Sequence, residues 1–93
     1  MKYPVLNVKA TGARIKELRK EKHLRVDEIS SFMGFESSQA VYKWQRGECL
    51  PTIDNLYALS YLFETSIDSI LIGYSREEDE NPLLPFSGME KAS

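Results

Sequence analysis

Gly34 and Gly47 each end a short stretch whose apolar residues recur at helical spacing, and the interval between the two stretches has room only for a tight turn. Before Gly34, the residues Val26, Ile29, Phe32 and Met33 repeat with helical period, which predicts a helix over 26–33 with those four turned inward. Asp27 and Glu28 stand in its first turn, where the helix dipole favours negative charge. Arg25 occupies the position where a capping Ser or Asp is expected, so this end reads as weakly capped. Before Gly47, Val41 and Trp44 are spaced i, i+3 and face inward, and Ser37 is the expected N-cap after Phe35-Glu36. That leaves Ser38, Gln39, Tyr42, Lys43 and Arg46 on the outer face.

The rest of the chain supplies helices to pack against this pair. Residues 1–11 read as an arm, because Pro4 blocks an early helix, and Val5-Leu6-Asn7-Val8 resembles a short strand with no evident partner. A first helix is expected from Gly12 to Lys22, with Ile15 and Leu18 inward, and Leu24 plugs the connection after it. Pro51-Thr52 opens a fourth helix, capped by Thr52, with Ile53, Leu56, Tyr57, Leu59, Ser60 and Phe63 as its buried stripe. Ser66 caps a short fifth helix carrying Ile67, Ile70 and Leu71, and Gly73 closes the domain. The expected architecture is all-α: five short helices over 12–73, followed by an acidic tail over 74–93. The tail holds the run Arg76-Glu77-Glu78-Asp79-Glu80 and the apolar segment Leu83-Leu84-Pro85-Phe86.

Charge narrows the function. The net charge of -2 hides an asymmetry. Residues 1–47 carry ten Lys/Arg against five Asp/Glu, a balance of +5, and residues 48–93 carry two against nine, a balance of -7. Such a division between halves is a hint of nucleic-acid contact. One histidine and one cysteine, with no glycine-rich phosphate loop, argue against an enzyme. Cys49 has no second Cys or His near it in sequence, so neither a zinc site nor an internal disulfide is expected. The apolar runs are too short to span a bilayer or to form a signal peptide, and a cytoplasmic location is expected.

Two short helices around a Gly-containing turn, the second exposing small polar and basic groups, form the pattern of a helix-turn-helix. From Gly12 to Leu71 the chain resembles the Cro and phage-repressor (Xre-like) family. The residues that carry the resemblance are Ile15, Leu18, Arg19, Leu24, Glu28, Ile29 and Gly34, then the run Val41-Tyr42-Lys43-Trp44-Gln45-Arg46-Gly47. Leu50-Pro51-Thr52, Asn55-Leu56, Leu59 and Ser66-Ile67-Asp68-Ser69-Ile70-Leu71 complete the set. The resemblance implies a lambda-repressor-like bundle in which helix three reads double-stranded DNA, and a transcriptional regulator, a repressor more readily than an activator. It assigns Ser38, Gln39 and Lys43 to base edges. Ser37, Tyr42 and Arg46 fall at phosphates or flanking bases, and Arg25, with backbone N–H groups, is left to hold the phosphate at the start of helix two. No cofactor, metal or small-molecule substrate is expected.

The chemistry of these side chains agrees. Gln39 can donate and accept at once, which matches adenine N6 and N7, and Lys43 can donate to guanine O6 and N7. One short helix reads too few base pairs for a specific site, so a homodimer on two half-sites is expected. Ile70, Leu71 and Leu83 to Phe86 are the candidate contact. Three positions depart from the family pattern. Val26 stands where a phosphate-holding Gln is common. Gln45 replaces the usual Glu partner of Arg19, leaving a hydrogen bond in place of an ion pair. The turn before Trp44 is one residue longer than usual, which bears on the register of the base contacts. The competing reading keeps the fold as a protein-interaction module that does not bind DNA.

Overall fold

The computed structural model describes residues 3–74; the expected acidic tail and its Leu83–Phe86 segment lie outside the described residues. Five helices follow in order: α1 (Val8–Glu21), α2 (Val26–Met33), α3 (Gln39–Arg46), α4 (Ile53–Phe63) and α5 (Ile67–Ile70). The fold is all-α, and one cluster of Ile15, Leu18, Val26, Ile29, Val41, Trp44, Leu56, Leu59, Phe63 and Ile70 forms its centre. Every helix contributes at least one of these residues, so no helix buries its apolar stripe without the others.

The caps explain the boundaries. Gly34 at φ +77° and Gly47 at φ +75° end α2 and α3 where the sequence placed both ends, each in the left-handed conformation. Thr52 accepts from the Asn55 N–H and Ser66 from the Ser69 N–H, which fixes the starts of α4 and α5. Helix α2 starts at Arg25 with help from downstream: the Glu28 carboxylate accepts the Arg25 backbone N–H at 2.7 Å.

Four features differ from the sequence expectation. First, α1 begins at Val8, not Gly12, because the Asn7 side chain accepts from the Ala10 N–H at 2.9 Å and caps it. Second, the extended residues before α1 have a partner. Leu6 bridges Gly73, the Asn7 N–H donates to the Ile72 carbonyl at 2.7 Å, and the Tyr74 N–H donates to the Val5 carbonyl at 3.1 Å. The buried Thr11 hydroxyl accepts the Ile72 N–H at 3.0 Å, tying the two ends of the described chain together. Third, Phe32, Ile53 and Tyr57 face outward, because the inner faces of α2 and α4 are already filled by Val26 and Ile29 and by Leu56, Leu59 and Phe63. Fourth, Ile70 is fully buried in the core, so it offers no surface for the dimer contact expected around helix five.

Candidate nucleic-acid interface

Helix α3 has two sharply different sides. Val41 and Trp44 are buried, while Gln39, Tyr42, Lys43 and Arg46, at i, i+3, i+4 and i+7, form one exposed ridge. The ridge is thus one of hydrogen-bonding and cationic groups on a helix slim enough for a major groove. Ser37 and Ser38 precede it. The helix begins one residue later than expected, with Ser38 rather than Ser37 at the N-cap position. Neither hydroxyl makes a strong cap: Ser37 Oγ lies 3.5 Å from the Gln39 N–H, and the Ser38 side chain makes no capping bond. The first N–H groups of α3 therefore stay open to an external acceptor.

The helix is held from several directions. Where α1 crosses it, a Cβ at Gly12 would lie 2.1 Å from the Trp44 carbonyl oxygen, so only glycine permits this approach. At its C-terminal end Gly47 sits against Lys9, where a Cβ would meet the Lys9 Cα at 2.6 Å. At its N-terminal end the buried Ser30 hydroxyl donates to Ser38 Oγ at 3.0 Å, linking α2 to α3 across the turn. In the middle, Arg19 Nε donates to Gln45 Oε1 at 2.8 Å, and Arg19 also donates to the Leu24 carbonyl at 2.8 Å. The departure at Gln45 is therefore a neutral acceptor in place of a carboxylate, with the link retained. The Phe35 ring meets Trp44 edge-on, with centroids 5.9 Å apart. Five residues, Gly34 to Ser38, join α2 to α3, and that turn absorbs the extra residue without turning Gln39 or Lys43 inward.

Charge on this surface is partly self-neutralised. Arg25 Nε donates to Asp27 at 3.0 Å and its guanidinium lies 3.8 Å from Glu28. Arg46 pairs with Glu48. The hydrogen bond from Arg25 holds the Asp27 carboxyl below its ordinary range, and that from Arg46 does the same for Glu48. Lys43 has no ion pair among the described residues.

The seven expected contact residues thus divide. Gln39, Tyr42, Lys43 and Arg46 share the α3 ridge, and Ser37 and Ser38 stand at its start. Arg25 is on the neighbouring α2 N-terminus, drawn toward its own acidic first turn. Ser38 is half-buried and engaged by Ser30, so it is more sheltered than its sequence position suggested. Sequence reasoning missed Ser30 and Gly12 as supports of the ridge. A glycine inside an amphipathic helix signals close backbone approach, but a helix expected to start at Gly12 puts that glycine at the end, where the signal has no force. Cys49 is exposed, and among the described residues no group of three His, Cys, Asp or Glu is placed to hold a metal. No helix among them is long and apolar enough to cross a membrane.

No family model matches the chain, and no curated protein matches it by sequence. Its fold does match solved structures. The restriction-modification controller protein C.AhdI from Aeromonas hydrophila superposes with a TM-score of 0.61 at 21% identity, covering 68% of this chain and 94% of that one. The DNA-binding domain of BldD superposes with a TM-score of 0.59 at 18% identity, covering 70% of this chain and 93% of that one. At such identities the likeness carries the architecture alone: the chain is a five-helix, all-α domain with the helix-turn-helix fold.

Proposed function

We propose that this protein is a sequence-specific double-stranded DNA-binding regulator that acts as a homodimer, with α3 in the major groove of each half-site. The observation that carries the reading is the exposed Gln39–Tyr42–Lys43–Arg46 ridge, on a helix whose pose is fixed by Gly12, Ser30 and Arg19. Gln39 and Lys43 read base edges, with Ser38 beside them at the helix start. Arg25, Ser37, Tyr42 and Arg46 hold phosphates. Repression follows most simply, because occupancy of a promoter requires only tight binding. The fold of the BldD DNA-binding domain, shared here, supports the choice of partner.

One observation favours the other reading, a protein-interaction module. Both arginines assigned to phosphates are already paired with carboxylates. Mutants on α3 decide between the two. Gln39→Ala should weaken the preferred site by about 1–3 kcal/mol and relax selectivity at one base pair. Arg46→Ala should weaken all duplexes equally and lower the slope of log K against log salt by about one. The measurement is fluorescence anisotropy on a selected site and its single-base variants at several salt concentrations. Affinity that ignores both mutations and salt would give first place to the interaction module.

A further inference from the structure

Helix α4 is apolar on two sides. Its inner side buries Leu56, Leu59 and Phe63, as a core helix must. Its outer side carries Ile53, Tyr57 and Tyr61 at i, i+4 and i+8, and these are 76%, 71% and 76% exposed. Three large side chains in one row along a solvent-facing helix contradict the pattern of an amphipathic surface helix. Phe32 of α2, 48% exposed, widens the row: its ring stacks on Tyr61 at 6.5 Å with an interplanar angle of 8°. None of these residues belongs to the α3 ridge.

We infer that this stripe is the interface with a second copy of the chain, formed by α4 packing antiparallel on its counterpart about a two-fold axis at Tyr57. The inference uses the DNA reading above only for the purpose of the dimer, two half-sites bound at once, and stands on the stripe itself. Three features favour a second copy as occupant. The stripe is self-complementary in the antiparallel register, where Ile53 meets Tyr61 of the other copy and Tyr57 meets its own equivalent, as an isologous contact requires. In that register Asp54 falls opposite Ser60, so no like charges are opposed. Finally, the area fits. Aromatic side chains of about 150–250 Å² each, presenting half to three quarters of their surface, give on the order of 500 Å² per copy. If all of it is covered, two copies bury at most about 1,000 Å², the size of a weak, concentration-dependent dimer. This assignment replaces the contact expected at Ile70, which the core has consumed.

The test is sedimentation equilibrium of the full chain without DNA, so that its result is independent of whether the protein reads DNA. The mean mass should rise from one copy toward two over the micromolar to submillimolar range. Tyr57→Glu, which sets two carboxylates against each other on the axis, should weaken association by about 30-fold or more, as loss of a central aromatic anchor does. The far-UV spectrum and melting curve should not change, because Tyr57 is exposed. In a Cys49→Ser background, Tyr57→Cys should give a disulfide-linked dimer on mild oxidation, while Lys16→Cys, exposed on α1 and outside the stripe, should not. A chain that stays monomeric throughout overturns the proposal, and so does a dimer that Tyr57→Glu leaves intact. A full-length monomer that dimerises only when cut after Tyr74 overturns it too, and gives the stripe to the chain's own C-terminal segment.

Discussion

Replacing Gly12 with alanine sets two effects of opposite sign against each other. Gly12 is the fifth residue of the 14-residue helix α1, and by helical propensity alone alanine there should stabilise by about 1 kcal/mol. The new Cβ, however, would lie 2.1 Å from the Trp44 carbonyl oxygen and 3.0 Å from both the Gln45 oxygen and the Gly47 nitrogen. All three are backbone atoms and cannot rotate away. Ordinary contact begins near 3.4 Å, so α1 and α3 must separate by about 1.3 Å. A gap of about 0.5–1 Å already forfeits a quarter to a half of a dispersion contact. Across this seam Ile15 and Leu18 of α1 join Val41 and Trp44 of α3 in the core. Full truncation of buried side chains of this size costs about 2–5 kcal/mol each. Partial loss shared among four of them comes to about 3–4 kcal/mol, so the clash wins and the net loss is about 2–3 kcal/mol. For a domain of this length that is a fall of about 10–20 °C in melting temperature. The assay is thermal and urea unfolding followed by far-UV circular dichroism and Trp44 fluorescence. The exposed neighbour serves as control: Ala13→Gly should cost about 1 kcal/mol through propensity alone. If Gly12→Ala melts at or above the wild type, the tight α1–α3 crossing is wrong, and with it the account of how the ridge is held.

Further outcomes follow from the same packing. Trp44→Ala should leave the domain largely unfolded at room temperature, because its cost of about 3–5 kcal/mol approaches a total stability of about 5; circular dichroism reads the loss of helix. His23 sits at φ +58°, where a side chain is strained, so His23→Gly should raise the urea midpoint by an amount equivalent to about 0.5–1 kcal/mol. The hydrogen bond from Lys22, 2.9 Å away, lowers the Glu64 pKa below its unfolded value. That contribution is therefore complete above the ordinary carboxylate range and is lost as pH falls through the folded pKa. Urea midpoints of wild type and Glu64→Gln should accordingly differ at pH 7 and converge in strong acid.

What could be read from the sequence was whatever the local pattern determines. Ile15, Leu18, Ile29, Val41, Trp44, Leu56, Leu59 and Phe63 are buried where helical period put them, and the ends at Gly34 and Gly47 follow from a backbone only glycine adopts freely. The outer face of α3 was legible for the same reason, since Val41 and Trp44 fix which side is in. Periodicity does not say which of two apolar sides of α4 meets its own core, and so points Ile53 and Tyr57 inward; only the positions of the elements packed against α4 decide that. Ser30 looked like an ordinary helix serine until the turn brought Ser38 to 3.0 Å, and the strand-like Val5–Val8 found its partner 67 residues downstream, at Gly73 from Leu6. The second is a long-range pairing that no window of ten residues contains, and the first depends on how the turn between α2 and α3 folds.

The self-paired arginines bear on how such a surface would choose its site. A cation facing open solvent draws any phosphate, and it is this unspecific attraction that fills non-specific DNA. Arg25 and Arg46 are each held by a carboxylate at hydrogen-bond distance, so a passing phosphate must displace Asp27 or Glu48 before it gains the full contact. The exchange costs little when the helix is fully seated and several contacts form together, and more when only one does. On the proposed reading the acidic neighbours therefore weaken encounter with random sequence more than they weaken the docked complex. Lys43 attracts Glu48 from further off but forms no ion pair among the described residues, so it remains to make the first approach. Removing the carboxylate, as in Glu48→Gln, thus acts mainly on the ratio of specific to non-specific affinity and leaves the preferred sequence as it was, because neither Arg46 nor Glu48 touches a base edge in this scheme.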